Sequence, residues 1–332
     1  MASPLGKCKI TLGTWRVLEL EDAYLEESEE IGDTEVETKS WEPIQGKPCE
    51  DLNVIFVDGV RRTESFIYVE DSEGNLSEGF FVSVGAGALY MKYGCANLSP
   101  ESFRNLTVKR FLVVRRGLGI GEGTFSVKVG GSVVEFEIKE ADREPSPFIN
   151  ELMAKMEAEV AERTYRERRP LLVITDGTLH YSAKLRKLPF VGYVKRHRKL
   201  YVPAEKTYIF RELKIGQRTP LILIHSQPTM EGEGAKGFDK YGWYVRVSED
   251  EGMGGIARLE VSADIGPERA GEIASLSAWA VPLFASTSFT DRRAPQNLLP
   301  IKHLENVLRK RLGSHTLIRR AIFKEVLATV SS

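Results

Sequence analysis

Two segments of this chain close an apolar run with the same dipeptide: NVIFV before Asp58-Gly59 and LLVIT before Asp176-Gly177. A short continuous run of β-prone apolar residues suits a strand buried on both faces. If the two strands lie parallel and side by side, about 4.8 Å apart, Asp58 and Asp176 emerge together at one edge of the sheet. Two carboxylates that close repel, and burying both as anions is costly unless a cation neutralises them. A hard divalent ion with oxygen ligands answers that need. Metal-dependent phosphoryl chemistry requires the same arrangement: two ions about 3.5–4 Å apart, one activating water and the other steadying the leaving oxygen. Asp-Gly after a strand is also a common turn, so the pair takes its meaning from what lies between its members.

What lies between is a run of strands and then a helix. Residues 65–70 (SFIYVE), 79–91 (GFFVSVGAGALYM) and 111–115 read as strands. Residues 124–129 and 132–138 form a pair joined by Gly130-Gly131, a hairpin signal. From 147 to 168 the period changes: Ile149, Leu152, Met153, Met156 and Val160 recur at helical spacing. Pro170 ends that helix. The following strand can then return, by a right-handed crossover, parallel to the first and beside it. Strand–Asp, further strands, helix, strand–Asp is the order of an RNase H-like nuclease core. Such a core usually takes a third carboxylate from its helix, and Glu151, Glu157, Glu159 and Glu162 are the candidates. Glu157 and Glu159 flank the apolar stripe on opposite sides, so helical periodicity does not choose between them.

Beyond residue 176 the sequence predicts strands at 191–194, 221–224, 242–247 and 257–261. Helices are predicted at 267–283, 299–312 and 316–327, and residues 8–20 alternate as a further N-terminal strand. The fold class is therefore α/β: an RNase H-like mixed sheet flanked by helices, with additional β elements at the N-terminus. No Pro- or Ser-rich linker divides the 332 residues, which favours one elaborated domain at 51–332 behind an N-terminal strand and acidic extension at 1–50.

Composition narrows the function classes. The 42% hydrophobic content buries a sizeable core and excludes a disordered chain. No window approaches the ~18 apolar residues of a spanning helix, and the first residues lack a secretory pattern, so a membrane role is excluded and a cytoplasmic location expected. Cys8, Cys49 and Cys95 have no metal-ligand spacing, which argues against a zinc ribbon or disulfide scaffold. With 46 Lys+Arg against 47 Asp+Glu the chain is neutral overall, but its charge is segregated. Every charged residue from 19 to 37 is acidic: a solvated extension, or a docking surface for a basic partner. Basic clusters occur at 184–187, at 195–199, and around Arg292, Arg293, Lys302, Arg309–Arg311, Arg319 and Arg320. Such segments form a phosphate-binding face without a basic pI. Near 291–305, two arginines, Asn297, Lys302 and His303 surround a helix start, which attracts phosphate. His303 is placed to relay a proton or orient water.

The motifs FVDGVRR, MEAEVAER within the helix, VITDGTL, VGYVKR, and DRRAPQNLLPIKHLE followed by LGSHTLIRRAI resemble, in this order, the bacterial form of the NurA nuclease family, over roughly residues 50–325. The resemblance implies a toroidal homodimer that cleaves DNA from 5′ ends with Mn²⁺ (or Mg²⁺), two ions per active site, with some endonuclease activity on single strands. It implies work in end resection and recombinational repair beside a HerA-type hexameric translocase. Carried over, Asp58 and Asp176 match the two metal-binding aspartates, Glu157 the helix glutamate, and His303 falls at or near the late histidine. Archaeal members place a tyrosine ahead of that histidine; here Ala294 and Pro295 stand there, and Asn297 or Arg293 would have to fill its role. Arg62, Lys195, Arg218, Arg293 and Asn297 are the expected DNA contacts, made to the backbone rather than to bases. A non-catalytic dimeric clamp or adaptor on the same fold is the alternative.

Overall fold

A computed structural model of the chain describes residues 9–12, 32–70, 73–94, 98–117, 120, 122–142, 144–179, 185–195, 200–225, 238–249, 252–286 and 297–330. One mixed sheet runs through it. Its N-terminal strands are β1 (Lys9–Leu12), β2 (Ile44–Gln45), β3 (Asn53–Glu70), β4 (Leu76–Lys92), β5 (Phe103–Arg115), β6 (Thr124–Val129) and β7 (Ser132–Ala141). Helix α1 (Pro145–Arg168) follows, then β8 (Leu172–Asp176) and β9 (Phe190–Val194). Next come a short α2 (Ile209–Glu212), β10 (Gln217–Arg218), β11 (Ile222–Ile224), β12 (Lys240–Arg246) and β13 (Ile256–Ser262). Helices α3 (Pro267–Ala280), α4 (Leu299–Arg311) and α5 (His315–Val330) close the chain. Across the sheet the order is β2-β10-β12-β13-β9-β8-β3-β4-β5-β7-β6, with β1 pairing β3 and β11 pairing β12.

The anticipated crossover is present. Helix α1 starts at Pro145 and ends where Arg169 takes a left-handed conformation (φ 46°) ahead of Pro170, whose ring bars further helical turns. The chain then enters β8, which pairs parallel to β3 from Val54↔Leu172 to Val57↔Thr175. One step further along the same register lie Asp58 and Asp176.

Strand β3 differs from its prediction. Asp58-Gly59 is not a turn: a single strand of 18 residues runs through it and joins the two segments read separately. Strand β4 pairs with it from Asn53↔Lys92 to Glu70↔Leu76, interrupted only by a bulge at Thr63/Ser65. The full ladder on that side satisfies the backbone through the polar stretch. On the other side the pairing with β8 stops at Val57, and among the described residues β3 is next paired on that side by β1 from Ile67.

Alternation along β3 and β8 divides the core between two layers. Ile55, Val57 and Val173 pack under α1 with Ile149, Met156 and Val160. Val54, Phe56, Val60, Leu172 and Ile174 face Ile273, Ala274 and Ala278 of α3 and Ile301, Leu304 and Leu308 of α4. Helix α5 covers the far sheet edge through Ile318, Ile322 and Val326, against Phe125, Val127 and Phe136. The Gly130-Gly131 hairpin is as expected, both residues having positive φ. Residues 19–31 of the acidic run, Lys184 and residues 196–199 of the basic stretches, and Arg292 and Arg293 lie outside the described residues.

Candidate active site

Asp58 shares its side of β3 with Phe56 and Val60, the side that α4 covers. It is buried, 9% exposed. Asp176 is the last residue of β8 on the same side, and Gly177 then turns the chain in a left-handed conformation (φ 87°) that a side chain would strain. Burial, followed by the charges of Asp176 and Glu157, pushes the Asp58 carboxyl well above its ordinary value; Glu305 adds to the push and Lys195 opposes it.

Glu157 approaches from α1, beyond the end of β8. Its carboxylate occupies the space that a side chain at position 59 would need: a Cβ there would fall 2.2 Å from Glu157 Oε1. Burial, and then the charge of Asp176, push the Glu157 carboxyl up to about 8. Glu159, the other candidate, points into solvent, 3.5 Å from Lys109 Nζ, and Glu162 pairs with Arg166. Helix α1 therefore brings Glu157, and not Glu159, to the aspartates.

One cation already stands among these carboxylates. Lys195, just past β9, places Nζ 2.8 Å from Asp176 Oδ2 and 2.8 Å from Asn297 Oδ1. Asn297 is 1% exposed and is held by its own carbonyl, which accepts from Ser286 N–H at 2.9 Å. Among the described residues, no three His, Cys, Asp or Glu side chains are gathered as a ready-made metal cage. Among the described residues the arrangement is that of mutually repelling carboxylates with Lys195 bridging one of them, Asp176, to Asn297. Its donors are all oxygen and mostly uncompensated, so the ion class that suits them is a hard divalent cation.

The NurA domain family model matches residues 52–309. The chain belongs to the NurA family. Its fold therefore carries a nuclease domain of DNA repair. No curated protein matches the chain significantly.

Within the NurA domain the remaining expected residues fall unevenly. His303 sits on α4 but on its exposed side, opposite Ile301, Leu304 and Leu308. Arg62 is committed to the fold: it donates to Glu64 Oε1 at 2.7 Å and to the Gly313 carbonyl at 2.9 Å, tying β3 to the α4–α5 corner. Arg293 lies outside the described residues. Arg218, expected at a phosphate, is instead 1% exposed, and its guanidinium grips Glu37 at 2.6 and 2.8 Å with Ser275 beside it. Although burial alone would raise the Glu37 carboxyl, Arg218 and the Leu221 N–H hold it below its ordinary value. The end of the acidic run is thus an internal anchor at this position, not a free docking surface. Arg218→Met is expected to cost about 3 kcal/mol of stability, because one partner of a largely buried pair is left alone, and to leave DNA affinity unchanged. Urea unfolding beside a DNA titration separates this from a phosphate contact.

Two residues at the site escaped the sequence reading. Tyr193 is the register partner of Asp176 and fully buried. Burial and the Asp176 charge push its phenol upward, so it stays protonated and remains a donor. A tyrosine in a short apolar strand gives no sign of this. Glu305 is the other: it is one residue from Leu304 on the edge of the buried stripe of α4, and its charge is felt at Asp58.

Proposed function

We propose that this NurA-family chain is a metal-dependent deoxyribonuclease that shortens DNA from 5′ ends and nicks single strands, working in end resection beside a HerA-type hexameric translocase. The observation that carries the reading is the meeting of Asp58, Asp176 and Glu157 from two parallel strands and a helix, where burial and the Asp176 charge push both the Asp58 and the Glu157 carboxyl up. Carboxylates buried together without enough cations are a costly arrangement for a scaffold and a useful one for binding cations.

Asp58, Asp176 and Glu157 would hold two Mn²⁺ or Mg²⁺ ions, which when bound supply the activated water and the charge that steadies the departing oxygen. The chain's own groups do the rest. The Lys195 ammonium, anchored by Asn297 and paired with Asp176 at 2.8 Å, suits a phosphate oxygen. Tyr193, the buried register partner of Asp176, keeps its phenol protonated beside that charge. Contacts of this kind orient a DNA backbone without reading sequence. The partners in this reading are DNA ends, single- or double-stranded, a second copy of the chain, and the translocase. No helix among the described residues is long and apolar enough to cross a membrane.

The Lys195–Asp176 contact favours one rival, a dimeric DNA-end clamp in which lysine permanently replaces the ions. DNA labelled at either end separates the two. Cleavage from the 5′ label with Mn²⁺ or Mg²⁺, abolished by EDTA and weakened by salt as phosphate contacts are screened, is the expected result. Binding of ends without cleavage in either metal would leave only the clamp.

A further inference from the structure

We propose that Glu260, buried in β13, is a positioning residue for Asp176: it holds the turn by which the chain leaves β8 and so fixes the direction of the carboxylate that ends that strand. The inference rests on the nuclease reading above and adds a residue to it.

Across the sheet Glu260 has a glycine on either side, Gly242 of β12 and Gly192 of β9, and Gly192 pairs in turn with Thr175, the residue before Asp176. A Cβ at Gly192 would fall 2.9 Å from the Gly177 carbonyl oxygen, 3.0 Å from Glu260 Cγ and 3.1 Å from Leu179 Cγ. The missing side chain thus lets residues 177–179 fold back over β9 until they meet Glu260. Glu260 Oε1 accepts the Leu179 N–H at 2.8 Å, and the Gly177 N–H donates to the Tyr193 carbonyl at 2.9 Å, so the turn is held at both ends. Leu259 and Val261 share the α3 layer with Ile174. By strand alternation Glu260 therefore projects from the opposite face of the sheet to Asp176, and its contact is with the turn.

Such a hold is needed because Gly177 is left-handed (φ 87°), and a glycine alone leaves the path of the chain after Asp176 loosely fixed. A carboxylate fixes it better than a neutral acceptor, since a charge-assisted hydrogen bond is roughly twice as strong. The charge is supported by β12 and β13 themselves: Lys240 Nζ stands 2.9 Å from Oε1, and Arg258 Nη2 3.6 Å from Oε2. Burial alone would raise the Glu260 carboxyl, but Lys240, Arg258 and the Leu179 N–H hold it below its ordinary value. It therefore stays ionised at neutral pH, and as an ion it only accepts. A buried ion pair can often be replaced by apolar groups without loss of stability. What an apolar residue at position 260 could not do is accept the Leu179 N–H.

The test pairs steady-state cleavage of end-labelled DNA with hydrogen exchange at residues 177–179 of the metal-free, full-length protein. Glu260→Met keeps the volume but offers no oxygen to Leu179. It is expected to lose about 10²-fold in kcat, the scale of an ångström's misplacement at a reacting centre, with KM for DNA near wild type. Its Leu179 amide should exchange at least about tenfold faster. Glu260→Gln restores an acceptor of the same length and should recover at least about tenfold of the lost kcat. Lys240→Met breaks the ion pair but leaves the Leu179 bond; it should melt lower than wild type and keep wild-type kcat and exchange. Gly192→Ala leaves Glu260 and its cations in place and drives the added Cβ against the Gly177 carbonyl, so it should reproduce the kcat loss even if Glu260→Met does not fold. Wild-type kcat in Gly192→Ala or in a folded Glu260→Met, or equal losses in Lys240→Met and Glu260→Met, would overturn the assignment and leave the nuclease reading standing. A wild type that cleaves no DNA with Mn²⁺ or Mg²⁺ would end both.

Discussion

Asp58→Asn is expected to lose cleavage by roughly 10³-fold or more, equivalent to several kcal/mol of transition-state stabilisation, and to melt at a higher temperature than wild type when metal-free. The two effects share one cause. Burial first, and then the charges of Asp176 and Glu157, push the Asp58 carboxyl well above the ordinary range, while Lys195 opposes them. A group with a raised folded pKa contributes its full stability only below its unfolded pKa and loses it as pH climbs to the folded one. At neutral pH the metal-free wild type therefore carries a penalty that an isosteric amide lacks. Removing the anion removes the penalty and, with it, the charge a divalent ion needs. DNA affinity should stay near normal, because the substitution touches no cationic contact. End-labelled cleavage, a melting curve and a DNA titration on one preparation check all three. Near-normal metal-dependent cleavage by Asp58→Asn would remove Asp58 from the chemistry.

The layout of this site was readable in the sequence wherever a local pattern and a topological rule agreed. Two apolar runs ending in Asp-Gly, separated by strands and a helix, allow a parallel return, and β3 and β8 pair in the register that puts Asp58 next to Asp176. The reading failed where a residue's meaning depends on a distant neighbour. Asp58-Gly59 looks like a turn because turns are where Asp-Gly normally occurs; within β3 the glycine is there because Glu157, about a hundred residues later, fills its side-chain space. Arg218 looks like a phosphate ligand because an arginine in an unassigned stretch has nothing local to bind, and Glu37 lies 181 positions away. Helical periodicity narrowed α1 to Glu157 and Glu159 but carries no information on which flank faces the aspartates; the close approach of α1 to β3 at Gly59 decides it. On α4 the same periodicity puts His303 on the exposed side, opposite the apolar stripe of Ile301, Leu304 and Leu308.

Gly59→Ala should uncouple the site from the fold more cleanly than any change to a carboxylate. The added methyl would sit 2.2 Å from Glu157 Oε1, 2.8 Å from Met153 Cγ and 3.1 Å from Glu157 Cδ. These atoms belong to flexible side chains and the backbone φ at Gly59 is not in the left-handed region, so the strand can accept alanine. What cannot remain is the carboxylate, which must withdraw by an ångström or more. A displacement of that size at a reacting centre costs about 10²-fold in rate, and that is the expected loss of cleavage, with the pairing of β3 preserved. A second readout follows from the Glu157 proton. Its carboxyl, ordinarily near 4.5, is pushed up to about 8 by burial and by Asp176. Metal-free wild type should therefore lose stability as pH rises from about 4.5 toward 8. In Gly59→Ala the displaced carboxylate moves toward water and away from Asp176, so this part of the slope should flatten. Melting curves across that pH range, with and without Mn²⁺, test the coupling. If Gly59→Ala kept both the wild-type slope and the wild-type rate, Glu157 would not be where the reaction needs it. A flattened slope with full activity would leave Glu157 as a buried acid with no part in cleavage.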